Sequence, residues 1–408
     1  MKVLQVNCVY NKGSTGKITA DLHKALLAQG VESVVCYGRG AKTKEPNVYK
    51  TCGELYSKLN NLWSRVTGVL YGGCFFSTNR LIRIIKREKP DIVHLQCING
   101  YFVNIYRLVT WLKRKGIRTV LTLHAEFMHT GTCGHAFDCE KYKTGCGHCP
   151  RVKKETKTFF FDGTARAYRK MKAAFDGFDD NLIITSVSPW LMGRAQGSVI
   201  LGDKKHCVIM NGMEPAVFYP RETAALKAHY GLEDKKIVFH ATAVFSDEPG
   251  HIKGGHYILQ LADMLKEQPV QIVVAGPTKE GLEVPPNVTL LGSLSDQDQL
   301  AAWYSAADVT VIASRRETFS MICAESLCCG TPVAGFKAGG PESISLPAYS
   351  TFAEYGDIDG LYAAVKTTLA QNYDSAAISE QAHATYDKRR MGRETLDIYR
   401  ELMKGNAS

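Results

Sequence analysis

The chain has 408 residues, 45% hydrophobic and 22% charged, an ordinary globular composition with length enough for two or three cored domains. No apolar run approaches the roughly 18 residues that cross a bilayer, and "MKVLQVNCVY" is too short and polar for a signal peptide, so an intracellular chain is expected. The net charge of +10 is uneven: residues 1–180 carry 30 Lys and Arg against 14 Asp and Glu, a net +16, leaving −6 for the rest, which points to a polyanionic partner for the first half, nucleic acid or an acidic membrane surface.

The first predicted strand is "KVLQV", and "NKGSTGK" follows it, leading into a helix over residues 16–29. A triphosphate P-loop needs G-x-x-x-x-G-K-[ST], but Asn11 stands where its first glycine belongs and Ile18 where its magnesium-binding hydroxyl belongs. The P-loop reading therefore fails at two positions with defined jobs. A strand, a glycine turn and a helix remain. Either Gly13 and Gly16 let backbone N–H groups approach an anion, or the turn is a plain βα connection that needs glycine.

Strands "ESVVCYG", "PDIVHLQ" and "RTVLTLH" come next, interleaved with helices over 79–89 and 101–115, and His124 ends the last of these strands. Beyond it, "HTGTCGHAFDCEKYKTGCGHCPR" spaces Cys133, Cys139, Cys146 and Cys149 as C-x5-C-x6-C-x2-C. The closing C-x2-C with flanking glycines is a chelating pattern, so a structural four-cysteine zinc site is the preferred reading, ahead of two disulfides or free thiols. The other nine cysteines show no chelating pattern and are read as small core hydrophobes. Strand "LIITSVS" completes the first half, and the Asn-Gly and prolines of "MNGMEPAVFYP" mark a domain junction near residue 205.

The second half repeats the alternation, with strands "KIVFHATA", "VQIVVAGP", "VTLLGS", "DVTVIAS" and "TPVAGF" and helices near 255–267, 296–306 and 320–329; a charged helix over about 376–404 ends the chain. Two α/β domains with parallel sheets are therefore expected, binding ligand at the carboxyl ends of the strands. Within "SRRETFSMICAES", Glu317 lies in the loop after a strand and Glu325 two turns into the next helix. The N–H groups of Phe319, Ser320 and Met321 would form a helix start on which a diphosphate docks, while Glu325 reaches a ribose diol. Lys253, just before another helix in "HIKGGHYILQL", can neutralise phosphate charge.

The E-x7-E spacing of Glu317 and Glu325, the Lys-Gly before a helix, "NGMEPAVFYP" and "AGGPES" occur in an order that resembles glycosyltransferase family 4 across nearly the whole chain. The resemblance implies a GT-B fold: two Rossmann-like domains (1–205 and 206–385) facing across a cleft, with a four-cysteine insert at about 129–150 and a C-terminal helix (386–408) crossing back to the first domain. It implies a retaining enzyme that takes sugar from a UDP- or GDP-sugar without a catalytic metal. Lys253 matches the diphosphate-binding lysine, Glu317 the glutamate near the donor sugar, Glu325 the ribose-binding glutamate, and His124 the histidine facing the reacting sugar. Thr318, Phe319, Ser320 and Met321 complete the donor site, and Gly13, Ser14, Thr15 and Gly16 match the glycine loop that closes over the diphosphate.

Three departures stand out. "FSDEPGHIKGG" lacks the arginine common before the lysine, leaving Arg315, Arg316 or the glycine loop to replace its charge. The common E-G-F-G is "ETFS", and Ala125 follows His124 where aspartate is frequent. The cysteine insert resembles members in bacterial capsule, O-antigen and colanic acid synthesis. That setting implies a cytoplasmic enzyme peripheral on the inner face of the cell membrane, with a polyprenyl-diphosphate-linked saccharide as acceptor. The basic stretches "NRLIRIIKREK" and "YRLVTWLKRKGIR" would lie on anionic lipid. No nucleic-acid partner is expected; a GT-B sugar-nucleotide epimerase and a zinc-containing nucleic-acid-binding protein are the alternatives.

Overall fold

The computed structural model describes residues 1–404, which fall into two compact units: Met1–Met210 with the C-terminal stretch from Arg389, and Asn211–Lys388. The first unit is built on seven parallel strands in the order β3-β2-β1-β4-β5-β6-β7. These are β1 (Lys2–Val9), β2 (Glu32–Arg39), β3 (Val48–Lys50), β4 (Ile92–Leu95), β5 (Thr119–Leu123), β6 (Leu182–Ser186) and β7 (Lys205–Val208). The central strands β4, β5 and β6 are buried along their whole length, polar residues such as His94 and Thr122 included, as in a parallel sheet covered by helices on both faces.

Helix α1 (Gly13–Ala28) returns from β1 to β2 and buries Leu22 and Leu26 against Val3, Ile92, Val120 and Ile183 of the sheet. The C-terminal helix Lys388–Lys404 adds Leu396, Tyr399 and Leu402 to that same cluster. It is fastened there by His94, whose ring bonds the Tyr399 hydroxyl at 2.6 Å and the Thr122 hydroxyl at 2.6 Å. Residues 40–78 hold elements that strand–helix alternation does not announce: the edge strand β3 and helix α2 (Glu54–Thr67). Helices α3 (Phe75–Glu88) and α4 (Ile105–Arg114) follow, α4 starting on Asn104, whose side chain accepts from Arg107 N at 3.0 Å. Helix α4 packs on α3 and on helix Thr164–Phe175.

The second unit has six parallel strands in the order β10-β9-β8-β11-β12-β13. They are β8 (Lys236–Ala241), β9 (Val270–Ala275), β10 (Val288–Gly292), β11 (Val309–Ile312), β12 (Val333–Phe336) and β13 (Ser350–Ala353). Val238, Ile272, Val311 and Ala334 of the sheet meet Ile258, Leu261 and Leu265 of helix Gly255–Leu265 in one core.

In each unit the strand order reverses once, between β1 and β4 in the first and between β8 and β11 in the second. The loops leaving the carboxyl ends of those strands part in opposite directions and leave room for a ligand. Among the described residues, no helix is long and apolar enough to cross a membrane.

Candidate functional site

In the second unit the loops after β8 and β11 meet. Arg315 N donates to Ile252 O at 2.8 Å, which ties the segment carrying Lys253 to the one carrying Glu317. The Lys253 ammonium and the Glu317 carboxylate form an ion pair at 2.6 Å, both only partly exposed. Glu317 is held from the backbone as well: its N–H donates to Ala338 O at 3.1 Å and its C=O accepts from Gly340 N at 2.9 Å. That exchange joins "ETFS" to "AGGPES". A Cβ on Gly340 would stand 2.6 Å from Phe319 N, so only glycine permits the approach. Glu342 finishes the turn by accepting from Gly339 N at 2.7 Å and Ala338 N at 2.9 Å.

Helix Met321–Cys328 begins at this junction. Ser320 is its cap, with φ +80, and its hydroxyl accepts from Cys323 N at 3.3 Å; Phe319 is buried beneath the cap and Thr318 lies in the loop before it. Glu325 is 9% exposed, and its Oε2 accepts from the Tyr304 hydroxyl at 3.0 Å. Tyr304 is fully buried, and burial together with the neighbouring Glu325 charge pushes its pKa well above the usual tyrosine range, so it stays a donor. The carboxylate is thereby aimed by a residue that the sequence does not single out. His240 on β8 is a second such residue. Its Nδ1 bonds Val311 O at 2.9 Å, and burial lowers its pKa to about 4, with the Lys253 charge acting the same way. It is neutral at physiological pH and adds no charge of its own. Arg315, an arginine that could replace the missing one, stacks over the Tyr355 ring at 5.7 Å.

In the first unit, the turn after β1 carries Gly13, Ser14, Thr15 and Gly16 as the opening turn of α1. Asn11 N donates to Gly16 O at 2.9 Å, and a side chain at Gly16 would meet Val9 Cγ2 at 3.0 Å. The buried Asn7 side chain straps the turn, donating to Val9 O at 2.7 Å and Thr15 O at 3.2 Å while accepting from Cys97 N at 3.0 Å. A polar residue interrupting an apolar strand was its only sequence signal. His124, at the end of β5, bonds Gln96 Oε1 through Nε2 at 2.8 Å, and Gln96 in turn donates to Gln5 at 3.3 Å. Burial lowers the His124 pKa to about 4, so the ring is neutral, with its proton on Nε2.

The zinc site expected at Cys133, Cys139, Cys146 and Cys149 finds no support in the geometry. Cys146 lies within electrostatic reach of the other three, but among the described residues no three His, Cys, Asp or Glu side chains are placed to hold a metal ion. The Cys146 thiol donates instead to Thr130 O at 3.4 Å, and burial followed by its cysteine neighbours pushes its pKa up to about 12. A different group organises the segment. Glu126 is fully buried, bonds Arg194 Nε at 2.5 Å, and accepts from Ala136 N at 2.7 Å. Spacing identified the cysteines as a set, but it does not fix where the sulfurs point.

Comparison with known proteins agrees with these features. Residues 15–153 match the model of Glycosyltransferase Family 4 and residues 226–385 that of Glycosyl transferases group 1. The chain is 23% identical over 427 residues to WcaC of Escherichia coli (strain K12), a protein assigned to colanic acid biosynthesis as a glycosyl transferase, covering 98% of this chain and 100% of that one. Its fold is shared with WaaG, a glycosyltransferase involved in lipopolysaccharide biosynthesis (TM-score 0.64, 15% identity, 97% and 99% of the two chains). It is also shared with Anabaena HepE in complex with UDP-glucose (TM-score 0.64, 13% identity, 98% and 100% of the two chains). The chain is a glycosyltransferase, a member of family 4.

Proposed function

We propose that the protein is a retaining glycosyltransferase that moves a hexose or N-acetylhexosamine from a UDP- or GDP-sugar to a lipid-linked saccharide in bacterial surface polysaccharide synthesis. The observation that carries the donor half of this reading is the cluster in the second unit. Lys253, from the loop after β8, meets Glu317, from the loop after β11 that runs on into the start of helix Met321–Cys328 and its Glu325. The cation and the helix start suit a diphosphate, and a buried, aimed carboxylate suits a ribose diol. The acceptor half is supported by the similarity to WcaC and by the basic first unit.

In this reaction the bond from the anomeric carbon to the donor phosphate oxygen breaks, and a bond from that carbon to the acceptor hydroxyl oxygen forms on the same face. The hydroxyl proton passes to the departing phosphate oxygen, so retention needs no protein nucleophile. Lys253 and the helix N-terminus stabilise the charge that grows on the leaving diphosphate. Glu317 holds sugar hydroxyls. His124, neutral and bonded through Nε2 to Gln96, positions rather than deprotonates. The Gly13–Gly16 turn, at the start of α1, offers backbone N–H groups to an anion. The lipid-linked acceptor places the enzyme on the cytoplasmic face of the membrane.

A screen of UDP- and GDP-sugars for nucleoside-diphosphate release, with and without polyprenyl-diphosphate-linked saccharides, tests the reading. Release that depends on a lipid-linked acceptor, with an α-sugar product from an α-linked donor, is expected. Undiminished turnover in Glu325→Ala would sink the donor assignment.

A further inference from the structure

We infer that helix α2, with the aromatic residues at its two ends, forms an apolar ridge that inserts into the surface of an anionic lipid bilayer. The basic groove beside it holds the lipid phosphates. This rests on the membrane setting proposed above and goes beyond it by naming the inserting element, which lies outside the basic stretches read from the sequence.

Helix α2 is amphipathic, yet its apolar side does not face a core. Leu55, Leu59, Leu62, Trp63 and Val66 recur at helical spacing and are 40% to 72% exposed, while the buried residues of the helix are Ser57 and Ser64. An inverted helix of this kind exposes what a solvated helix would hide. The ridge continues at both ends. Near its start, the Tyr56 ring lies 6.0 Å from Phe76, which is 77% exposed, and the Tyr56 hydroxyl accepts from Phe76 N at 3.3 Å. At its end, Arg65 O accepts from Phe159 N at 2.8 Å, and the Arg65 guanidinium stacks on the Phe159 ring at 4.5 Å. That pins the run Phe159, Phe160 and Phe161 beside the helix with its three rings outward, Phe160 being 74% exposed.

Charge complementarity names the occupant. Phe75, next to Phe76, lines a groove of about 1170 Å³ between α3, α4 and helix Thr164–Phe175. Arg83, Lys86, Arg107, Arg114, Lys115 and Lys170 line it, and among the described residues no carboxylate does. Trp111 lies among these cations, an interfacial residue in an interfacial place. Large apolar side chains beside a field of unopposed cations are the two requirements of a monotopic membrane surface, where burial and attraction to anionic headgroups add. A protein partner of equal charge complementarity would have to be acidic throughout and apolar along one edge.

Flotation with vesicles of phosphatidylcholine alone and of phosphatidylcholine with phosphatidylglycerol, at about 0.1 M and 1 M salt, tests the assignment. Binding is expected to the anionic vesicles, weakened but not abolished by high salt. The double variant Phe160→Ser/Phe161→Ser and the single variant Leu59→Gln each remove exposed side chains and should fold; each is expected to lower partitioning roughly tenfold. Arg107→Glu/Arg114→Glu should abolish the preference for anionic lipid. Wild-type partitioning by both ridge variants, or no binding to anionic vesicles, overturns the inference. A concentration-dependent dimer abolished by the ridge variants would give the ridge to a second copy and overturn it equally. Diphosphate release with a detergent-solubilised acceptor should be unchanged in the ridge variants, so their failure on vesicles is separable from failure of the transferase reading.

Discussion

Lys253 and Glu317 stand 2.6 Å apart although they are 64 positions apart in the chain, in the loops that follow β8 and β11, the two strands between which the second sheet reverses its order. Both are partly exposed, at 26% and 19%, and a pair of that kind contributes at most about 1 kcal/mol to stability. Their value is in catalysis. Lys253→Ala should lower kcat by about a hundredfold or more, because it removes the cation facing a leaving group, while shifting Tm by no more than a few degrees. Steady-state kinetics and a thermal melt on the same preparation separate the two effects. A large Tm loss with modest kinetic change would make the pair a scaffold.

Tyr304 acts through Glu325. Tyr304→Phe keeps the ring and removes the hydroxyl that donates at 3.0 Å, a loss of about 1 to 2 kcal/mol for a hydrogen bond to a buried carboxylate. If Glu325 grips the ribose, the donor KM should rise about tenfold with kcat nearly constant, since the interaction is the same in ground and transition states. A kcat loss at unchanged KM would place Tyr304 in the chemical step instead.

Gly340 tests the backbone beneath the site. Its substitution by alanine would put a Cβ 2.6 Å from Phe319 N and from Thr318 C, both backbone atoms that cannot swing aside. The strand-like exchange between Glu317 and Gly339 would have to open. Gly340→Ala is expected to cost at least tenfold in kcat/KM, with Tm lowered by several degrees. Ser343→Ala, which removes only a hydroxyl that donates to Gly340 O at 2.8 Å and leaves the backbone exchange in place, should cost far less in both.

His124 should leave no trace in the pH profile near neutrality. Its pKa is lowered to about 4 by burial, so the ring is neutral at higher pH and gains a proton only as the pH falls through that value. Between pH 6 and 8, kcat/KM should show no inflection that is lost in His124→Asn, though that variant should turn over more slowly. An inflection near 6.5 that vanishes in His124→Asn would restore a general-base role.

The two α/β halves and the donor-side charges were legible because each rests on local order: apolar runs of strand length, glycines at turns, and glutamates at a fixed distance in one segment. Lys253 and Glu317 were legible as types, and the fold supplied the distance. Tyr304 was not legible, since its partnership with Glu325 depends on helix Gln297–Ala306 packing on helix Met321–Cys328, and nothing local marks a tyrosine as a donor. Asn7 and Glu126 were hidden for the same reason: a buried polar group is defined by what surrounds it. Helix α2 was not read from the sequence, and the spacing of Leu55, Leu59, Leu62 and Val66 cannot by itself say whether an apolar stripe faces a core or the solvent.

Glu126 yields the sharpest stability prediction. Burial raises its pKa, but the His129 ring 3.5 Å away and the charge of Arg194 outweigh burial and hold it at about 2, against 4.5 for a free carboxyl. A depressed carboxylate stabilises the fold fully above the unfolded pKa, and that contribution disappears as pH falls from about 4.5 toward 2. Glu126→Gln keeps the shape and leaves the largely buried Arg194 side chain without its anion, so it should lower unfolding free energy at pH 7 by about 3 kcal/mol or more. The gap between wild type and variant should narrow steadily in urea melts taken from pH 5 to pH 2.5. Because this network braces the cysteine segment, a strong chelator should leave the wild-type Tm where it was. A chelator-induced drop, reversed by zinc, would show that the four thiols close on an ion after all.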